Sequence, residues 1–304
     1  MTVEYTDENG MLLPSPLPNP FVTTSQTILA RVINPLFAGC YDETTIEFIV
    51  SEKPNFELQE TDVICITESP RLEVSVQNPN GNYSYEWTDE LGVIVSSDIS
   101  ATITQGGTYT VVATSSFGCQ SDPREITIVE SSIAMLDDSQ IALIDDSNNN
   151  SITIDTANLG IGDYEFSLLD EQLSTLVDFQ DNPFFDNLEG GVYTVLIRDK
   201  NGCGVLSKEI SLITFPKFFT PNNDGYNDTW TIKGYSRNKF QRGTIEIYNR
   251  FGKLVGSFNI DSSMGWNGLY NGNLLPSNDY WFVAKLITIN GKLRMRRGHF
   301  SLKR

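Results

Sequence analysis

The sequence predicts an all-β protein built from tandem β-sandwich modules. Short runs of β-branched and aromatic residues alternate with Gly, Asn and Pro, a pattern typical of strands and turns. No stretch shows the 3.6-residue apolar period of an amphipathic helix. A Gly-Cys pair recurs at Gly39-Cys40, Gly118-Cys119 and Gly202-Cys203, with the cysteines 79 and 84 residues apart. That spacing fits one sandwich module per repeat.

The first repeat, residues 1–53, consists of strand Ile28–Val32, the Gly39-Cys40 turn and strand Thr45–Val50. Because these residues are too few for a whole sandwich, we expect its opening strands to lie upstream in a longer chain. The N-terminus has neither the basic nor the apolar region of a signal peptide. Apolar runs reach only about seven residues, too short to span a membrane.

The second repeat, residues 54–130, is the most complete. It contains Val63-Ile64-Cys65, a tryptophan at Trp87 and the strand Gly106–Val111. These features resemble the immunoglobulin-like and PKD-like modules of bacterial surface proteins, although Cys119 follows Tyr109 by ten residues rather than two. We expect Trp87 in the core.

The cysteines predict one disulfide. Export to an oxidising compartment favours a bond between Cys65 and Cys119, which would join the first strand to the last hairpin. Cys40 and Cys203 have no evident partner within their own repeats, and the partner of Cys40 is expected upstream. Zinc is disfavoured, because the chain has no C-x-x-C pair and one histidine.

The third repeat, residues 131–213, has acidic edges at Asp137-Asp138 and Asp145-Asp146. Its run from Leu188 to Cys203 resembles the repeat unit of large gliding-motility adhesins. The acidic edges leave two alternatives open: calcium ions at module junctions, or solvated loops.

Charge divides the chain into an acidic body and a basic C-terminal part. Residues 214–304 hold 14 of the 21 Lys and Arg residues but only 5 of the 39 Asp and Glu residues. Their formal charge is therefore +9, and that of residues 1–213 is −27. An acidic body disfavours contact with nucleic-acid phosphates, and the basic part lacks the pattern of a strand-binding platform. No nucleic-acid partner is expected.

Residues 214–304 carry a different set of motifs, and we expect another small sandwich with a two-residue turn at Asn290-Gly291. The motifs are Phe215–Trp230, Ile245–Val255, Gly265–Gly268, Leu275–Phe282 and Gly298–Arg304. Together they resemble the gliding-motility-associated C-terminal domain, the type B sorting domain of the type IX secretion system. The expected fold is thus tandem immunoglobulin-like sandwiches ending in a small sandwich sorting domain.

The resemblance implies export through the periplasm and the type IX translocon to the cell surface or medium, in association with the outer membrane. It also implies docking on an outer-membrane PorP/SprF-type barrel protein. The β-barrel shuttle of the same secretion system is a further candidate partner.

Aromatic and basic residues of this domain are the candidates for sorting and docking, since such residues anchor interfaces. The alternative is that the aromatic residues are core. The candidates are Phe218, Trp230, Trp266, Tyr280, Trp281, Arg296, Arg297, His299, Phe300, Lys303 and Arg304.

One loop of this domain combines Asn222, Asp224, Asn227 and Asp228, oxygen ligands of the kind that Ca²⁺ takes. Hydrogen-bonded Asx turns would explain the same residues. Calcium is the one cofactor that the sequence suggests.

The function that the sequence favours is a cell-surface adhesin. The alternative is a spacer and sorting region for a secreted enzyme or carbohydrate-binding protein whose functional domain lies upstream. A catalytic role for these residues is disfavoured, because the only histidine, His299, lies in the sorting domain.

Overall fold

A computed structural model describes residues 1–37, 39–67 and 69–304. Within them the chain forms 25 strands and two three-residue 3-10 helices, which confirms the all-β prediction. The chain divides into two compact units, Met1–Asp62 with Arg71–Val129, and Val63–Pro70 with Glu130–Arg304. The four-module division expected from the sequence is finer and stays a prediction.

The first unit begins with an antiparallel four-stranded sheet in the order β2-β1-β3-β4. Its strands are β1 (Thr2–Thr6), β2 (Leu12–Leu13), β3 (Gln26–Ile33) and β4 (Tyr41–Phe48). β3 and β4 form a hairpin in which Ile33 lies opposite Tyr41. Alternate residues of β3 turn to one face, where Ile28 and Ala30 are buried.

The next seven strands form two sheets, β5-β11-β10-β7-β8 and β6-β9. The strands are β5 (Thr61–Cys65), β6 (Leu72–Ser75), β7 (Tyr83–Thr88), β8 (Ile94–Ser96), β9 (Ser100–Ile103), β10 (Gly107–Ser115) and β11 (Arg124–Ser131). The boundary between the two units falls within β5 and β11. Trp87 is fully buried, as expected, and its indole Nε1 donates to the Asp98 carbonyl at 3.0 Å.

The second unit contains a seven-stranded sandwich. After the 3-10 helix Asp138–Gln140 come β12 (Ile141–Ile144), β13 (Asn150–Ile154), β14 (Tyr164–Leu169), β15 (Thr175–Gln180), β16 (Phe184–Leu188), β17 (Gly191–Asp199) and β18 (Val205–Leu212). They form the sheets β12-β13-β16 and β15-β14-β17-β18. The chain crosses repeatedly between the sheets, as in a Greek-key sandwich. Ile152, Phe166 and Val195 are among its buried core residues.

The C-terminal strands of the second unit form the sheets β19-β25-β24-β20-β21 and β22-β23. They are β19 (Phe218–Phe219), β20 (Phe240–Tyr248), β21 (Leu254–Asn259), β22 (Leu269–Tyr270), β23 (Asn273–Leu274), β24 (Asn278–Thr288) and β25 (Leu293–Leu302), with a 3-10 helix at Ile260–Ser262. β19 is parallel to β25, whereas the other pairs of the larger sheet are antiparallel.

The turn between β24 and β25 is longer than predicted. Thr288 and Lys292 are joined by a backbone hydrogen bond of 3.0 Å, which leaves three residues in the loop rather than two. Gly291 has a φ of +76° and donates to the Thr288 carbonyl at 2.8 Å. In a three-residue hairpin loop the last residue adopts this left-handed conformation. The glycine of the Asn290-Gly291 pair takes that place, so the loop has three residues instead of the two that were predicted.

One tyrosine contact recurs in three of these strand assemblies. In each, a buried tyrosine at or near the start of a central strand donates its hydroxyl to the carbonyl four residues upstream. The pairs are Tyr109 to Gln105 at 3.0 Å, Tyr193 to Glu189 at 2.9 Å and Tyr280 to Pro276 at 2.9 Å. This is the tyrosine corner of immunoglobulin-like sandwiches. Each hydroxyl holds the preceding turn against its own strand.

The seven-stranded sandwich and the C-terminal strands are held together within the second unit. Thr214 and Lys233 exchange backbone hydrogen bonds of 3.2 and 2.9 Å. Gly234 follows with a φ of +77°, and a Cβ there would lie 2.0 Å from the Leu212 carbonyl oxygen. Only glycine fits this close approach of two backbones.

Two acidic residues expected in solvated or calcium-binding edges pair with basic side chains instead. Asp138 lies 2.9 Å from Lys208 and 3.4 Å from Lys239. The hydrogen bond from Lys208 is the largest influence lowering the pKa of the Asp138 carboxyl. Asp145 is only 7% exposed and pairs with Arg294 at 2.9 Å. The solvated-loop interpretation is therefore wrong for Asp145, whereas Asp138 stays exposed to solvent beside its two lysines.

The disulfide joins Cys65 to Cys203, with their Cα atoms 5.4 Å apart, so the predicted Cys65–Cys119 bond is wrong. The segment Val63–Pro70 belongs to the second unit, where the Ile66 amide donates to the Ser131 carbonyl at 2.7 Å. This places Cys65 beside the β17–β18 hairpin. Among the described residues, Cys40 and Cys119 are free thiols.

Candidate functional site

The C-terminal domain carries the residues proposed for sorting and docking. Residues along its large sheet alternate between an inner face, which packs on the core, and an outer face. In β24, Tyr280, Phe282 and Ala284 are buried, whereas Trp281 is exposed. The candidates therefore fall into three groups: buried, bonded within the chain, and exposed.

Four aromatic candidates are buried in the core. They are Trp230, Trp266, Tyr280 and Phe300. Their polar groups are also used internally: the Trp230 Nε1 donates to the Pro216 carbonyl at 2.8 Å and the Trp266 Nε1 to the Leu269 carbonyl at 3.1 Å. The prediction that these four side chains contact a docking partner directly is therefore wrong. The alternative, that they are core residues, is confirmed.

Ring stacking explains how a small domain accommodates so many aromatic residues. The rings of Trp230 and Phe300 are nearly parallel, with centroids 3.9 Å apart. Phe215 stacks on Phe282 at 4.5 Å, and Trp266 meets Tyr280 edge-on at 5.2 Å. Stacked and edge-to-face pairs are the geometries that aromatic quadrupoles favour. The aromatic excess of the sequence is mainly a core feature.

Two basic candidates are bonded within the chain. Arg296 lies 3.6 Å from Asp145, beside the shorter Arg294 contact. The Arg304 guanidinium donates to the Gly268 carbonyl at 3.3 Å and also to the Leu275 carbonyl. These contacts tie both side chains to their own chain, although both residues are exposed, and their part in docking stays a prediction.

The remaining candidates are exposed. Phe218 is 45% exposed and lies beneath the Lys303 ammonium, which is 4.5 Å from its ring centroid. Trp281 is 43% exposed, with its ring 6.5 Å from that of His299. Arg297 is exposed on the same strand as His299.

Three of these exposed candidates, Trp281, Arg297 and His299, belong to one surface on the outer face of the large sheet, together with Tyr248 and Arg250. Strand register places Tyr248 opposite Trp281, and Trp281 opposite His299, in a row across β20, β24 and β25. Arg297 is two residues before His299 on β25, and Arg250 lies just beyond the end of β20. We call these five residues the aromatic–basic face. All except His299 line a shallow groove of about 460 Å³.

The electrostatics of this face are positive. The Glu246 carboxylate on β20 pairs with Lys285 at 3.1 Å and accepts a hydrogen bond from the Tyr248 hydroxyl at 3.2 Å. Desolvation, followed by the charge of Glu246, raises the pKa of Tyr248. Within the described part of the chain, Arg297 has no ion-pair partner, and its guanidinium lies 3.8 Å from the Met295 sulfur. Its charge is available to a partner.

The proposed calcium loop is organised by hydrogen bonds. The Asp228 carboxylate accepts from the backbone amides of Asn222, Asn223 and Gly225 at 2.9, 2.6 and 2.8 Å. A backbone hydrogen bond from Tyr226 is the largest influence lowering the pKa of Asp224. These contacts account for the loop as a set of Asx turns.

No group of three acidic, cysteine or histidine side chains that could hold a metal occurs in residues 1–37, 39–67 and 69–304. The expected oxygen ligands on Asp224 and Asp228 are already acceptors of backbone hydrogen bonds. Calcium binding stays a prediction from the sequence.

The family comparison bears directly on this domain. Residues 213–302 match the CHU_C type IX secretion signal domain. The chain carries that signal domain. Its match begins one residue before the boundary that the charge change predicts, and it includes the whole large sheet. The signal domain implies export by the type IX secretion system to the cell surface or the medium.

Comparison with solved structures finds arrays of immunoglobulin-like domains. Sidekick-1 immunoglobulin domains 1–5 are 11% identical, with 99% of this chain and 73% of that one covered and a TM-score of 0.32. Domains 3–5 of Drosophila OTK are 12% identical, with coverage of 81% and 95% and a TM-score of 0.20.

A third similar structure is the Bacteroides ovatus mixed-linkage glucan utilization locus protein SGBP-B in complex with a mixed-linkage heptasaccharide. It is 14% identical, with 84% of this chain and 69% of that one covered and a TM-score of 0.21. Scores this low do not establish a shared arrangement or a shared ligand. No curated protein matches the chain.

Sequence reasoning missed Tyr248 and Arg250 in the signal domain. The alternation of Ile245 and Ile247, both buried, with Glu246 and Tyr248 could have placed Tyr248 on the outer face. Its position beside Trp281 depends on strand register, which the sequence does not show. Among the described residues there is no helix with the length and apolar character needed to cross a membrane.

Proposed function

We propose that this chain is part of a secreted cell-surface adhesin, used in gliding motility or surface attachment. Its signal domain directs passage through the type IX translocon and then docks on an outer-membrane PorP/SprF-type barrel protein. The observation that carries the proposal is the signal domain match at residues 213–302, combined with the uncovered aromatic–basic face on that domain. We assign no catalytic role to the chain.

The composition of the aromatic–basic face supports docking rather than simple solubility. Tyr, Trp and Arg are the residues most enriched among the strongest contacts of protein interfaces. Tyr248 lies opposite Trp281, and Arg297 is on the next strand, two residues from the His299 that lies opposite Trp281. Because these side chains are held on one sheet, few backbone conformations are lost on binding. The positive charge of the domain favours approach to acidic loops of a partner.

The acidic repeats support an adhesin stalk. Strand assemblies with tyrosine corners precede the signal domain, and a disulfide ties Cys65 to the β17–β18 hairpin of the last of these assemblies. Negative charge on such modules keeps them soluble and resists self-association.

Deletion of residues 213–304 tests the sorting step in the bacterium that exports the protein. The deleted form is expected to remain in the periplasm, as measured by protease accessibility on intact cells. Surface exposure of the deleted form would refute a sorting role.

Docking is tested separately with the double variant Trp281→Ala/Arg297→Ala, which leaves the core intact. Pull-down in mild detergent is expected to recover an outer-membrane barrel protein with the unaltered chain and much less with the variant. Leu274→Ala, a change of an exposed residue of β23 outside the face, is the matched control and should bind normally. Equal recovery with the double variant would overturn docking through this face.

A further inference from the structure

The last strand of the signal domain, β25, is fully paired on one side and hardly paired on the other. β24 pairs with it from Leu293 to Leu302. Among the described residues, β19 is the one strand paired with its other side, and it reaches only Ser301 and Leu302. The part of β25 from Met295 to His299 therefore lies at an edge of the large sheet.

Strand register decides which backbone groups face this unpaired side. In an antiparallel pair, the N–H and C=O of one residue point to the same side, and the side alternates along the strand. The Lys292 carbonyl accepts from the Thr288 amide, so even-numbered residues of β25 bond to β24. The Ser301 amide donates to the Lys217 carbonyl at 2.9 Å, so odd-numbered residues face away from β24. The register between these two ends has no shift, so the alternation holds throughout.

Three residues therefore point their backbone groups outward at this edge. They are Met295, Arg297 and His299, and all three are exposed. Within residues 1–37, 39–67 and 69–304, their three N–H and three C=O groups have no hydrogen-bond partner. We call these six groups the open edge of β25. Unpaired groups at a sheet edge are a template for pairing with another extended chain.

The side chains beside the open edge are basic. Arg297 has no ion-pair partner among the described residues, and Lys303 is exposed just beyond the end of the strand. A carboxylate on the neighbouring strand, Asp279, accepts a hydrogen bond from the Ser301 hydroxyl. Positive charge along an edge repels the same edge of a second copy, and it attracts an acidic chain.

The opposite edge of the large sheet lacks this charge. It is formed by β21, whose six residues Leu254–Asn259 include no charged side chain. Gly256 of β21 lies against the core, since a Cβ there would be 2.9 Å from the Trp266 Nε1. The β21 edge therefore offers an acidic segment no charged side chain to pair with.

We propose that the open edge of β25 receives an extended, acidic segment of the outer-membrane partner, which adds to the large sheet as a further strand. Backbone hydrogen bonds to Met295, Arg297 and His299 give such a complex its affinity. Alternate side chains of the added strand lie on the outer face beside Arg297 and His299, and continue the row that runs through Tyr248 and Trp281. The proposal rests on the proposed docking function and names the kind of segment that docks.

Amide hydrogen exchange of the isotope-labelled 304-residue chain tests the pairing directly. The probe is the outer-membrane barrel protein, extracted from the exporting bacterium in mild detergent, and exchange is read residue by residue after the complex is dissociated. In the free chain, the Arg296 and Gly298 amides, which bond to β24, should exchange slowly, and those of Met295, Arg297 and His299 should exchange fast. In the complex, these three should slow to the rates of their neighbours. Unchanged fast exchange at the three amides would overturn the proposal.

Met295→Pro gives a second test, because proline has no backbone N–H. The Met295 N–H faces away from β24, and proline is tolerated in an edge strand at such a position, so the variant should fold. Met295→Ala loses the same side chain but keeps the N–H. The affinity of Met295→Pro for the barrel protein should be about tenfold lower than that of Met295→Ala, because a carbonyl of the added strand loses its donor.

Thermal unfolding checks that both variants are folded. Equal affinities of folded Met295→Pro and Met295→Ala would overturn pairing at the open edge. If Met295→Pro does not fold, the exchange experiment on the unaltered chain decides the question.

Ionic strength tests the acidic character of the added segment. The affinity of the unaltered chain for the barrel protein should fall as salt is raised, since salt screens charges at an exposed edge. Arg297→Gln should bind more weakly at low salt and depend less on salt. An affinity of the unaltered chain that does not change with salt would overturn an acidic segment.

The same measurements separate strand addition from the docking function. If Trp281→Ala/Arg297→Ala loses binding while exchange at the open edge is the same in the free and bound chain, docking through the face stands and strand addition is wrong. If the unaltered chain binds no barrel protein, docking itself fails, and strand addition fails with it. Slow exchange at the open edge in the chain alone, together with a dimer on gel filtration, would assign the edge to a second copy and overturn the proposal.

Discussion

Asp145, at the end of β12, accepts a hydrogen bond of 2.9 Å from the guanidinium of Arg294 on β25. The carboxylate is almost fully buried, and Arg296 adds a second, longer contact of 3.6 Å. The pair joins the seven-stranded sandwich to the signal domain, both within the second unit. The basic strand of the signal domain is therefore partly neutralised by its own chain.

Arg294→Met should destabilise the second unit, because it leaves the Asp145 carboxylate buried without its main partner. Removing a hydrogen bond to a charged group of this kind costs about 1.5–3 kcal/mol. Urea unfolding followed by tryptophan fluorescence measures the change. Lys233→Met, which removes an exposed pair with Glu189, is the control and should cost less than about 1 kcal/mol. Equal effects of the two changes would contradict a structural role for the buried pair.

Trp230→Ala should lower the free energy of unfolding by about 3–5 kcal/mol, the usual cost of emptying a large aromatic site in a core. The change removes the stack on Phe300 and the hydrogen bond to Pro216. Trp281→Ala is the matched control in the same domain, and should change stability by less than about 0.5 kcal/mol because its side chain is exposed. Thermal unfolding measures both. A smaller loss for Trp230→Ala than for Trp281→Ala would refute the assignment of core and surface.

Stability should fall at alkaline pH through Tyr235. Burial, followed by the hydrogen bond of 2.8 Å to Asp261 and its charge, raises the pKa of Tyr235 to about 12. An unfolded tyrosine loses its proton near pH 10, whereas the folded one keeps it to about pH 12. This contribution to stability is full below about pH 10 and is lost as the pH rises towards 12.

Unfolding midpoints measured from pH 8 to 12 check this dependence. Tyr235→Phe should have a flatter profile above about pH 10 than the unaltered chain. Tyr226→Phe, at an exposed tyrosine, should retain the original slope. If Tyr235→Phe also keeps the original slope, the raised pKa is not the cause.

Loss of the Cys65–Cys203 bond should destabilise the second unit by about 2–5 kcal/mol, because the bond restricts a long span of the unfolded chain. Cys203→Ser and reduction of the unaltered chain should lower the unfolding midpoint by similar amounts. Reduction should then have no further effect on Cys203→Ser. Cys119→Ser is the control, and should behave like the unaltered chain under non-reducing conditions.

The aromatic residues show how far sequence reasoning reaches. Composition indicates that the signal domain is aromatic-rich, but not which rings face inward. In β24 the alternation of Tyr280, Trp281 and Phe282 predicts two opposite faces. Which face is buried depends on the segments packed against it, such as Phe215 stacking on Phe282. These contacts come from distant parts of the chain.

The cysteines show the same limit. Position in the repeat pattern makes Cys119 the candidate for Cys65 within the same repeat, and this bond would close a shorter loop than a bond to Cys203. The tertiary structure decides otherwise, because the segment Val63–Pro70 belongs to the second unit, and Cys65 lies there beside Cys203. Loop closure depends only weakly on length, so sequence separation is a poor guide to pairing.

The sequence by itself determined the all-β class, the repeat period, the change of charge near residue 214 and the motifs of the signal domain. These depend on local residue preferences and on composition, which act over a few neighbouring residues. Only the tertiary structure decided the Cys65–Cys203 bond, the Asp145–Arg294 pair and the aromatic–basic face. Each of these depends on strand register or on packing between distant segments, and both are set by burial across the whole unit.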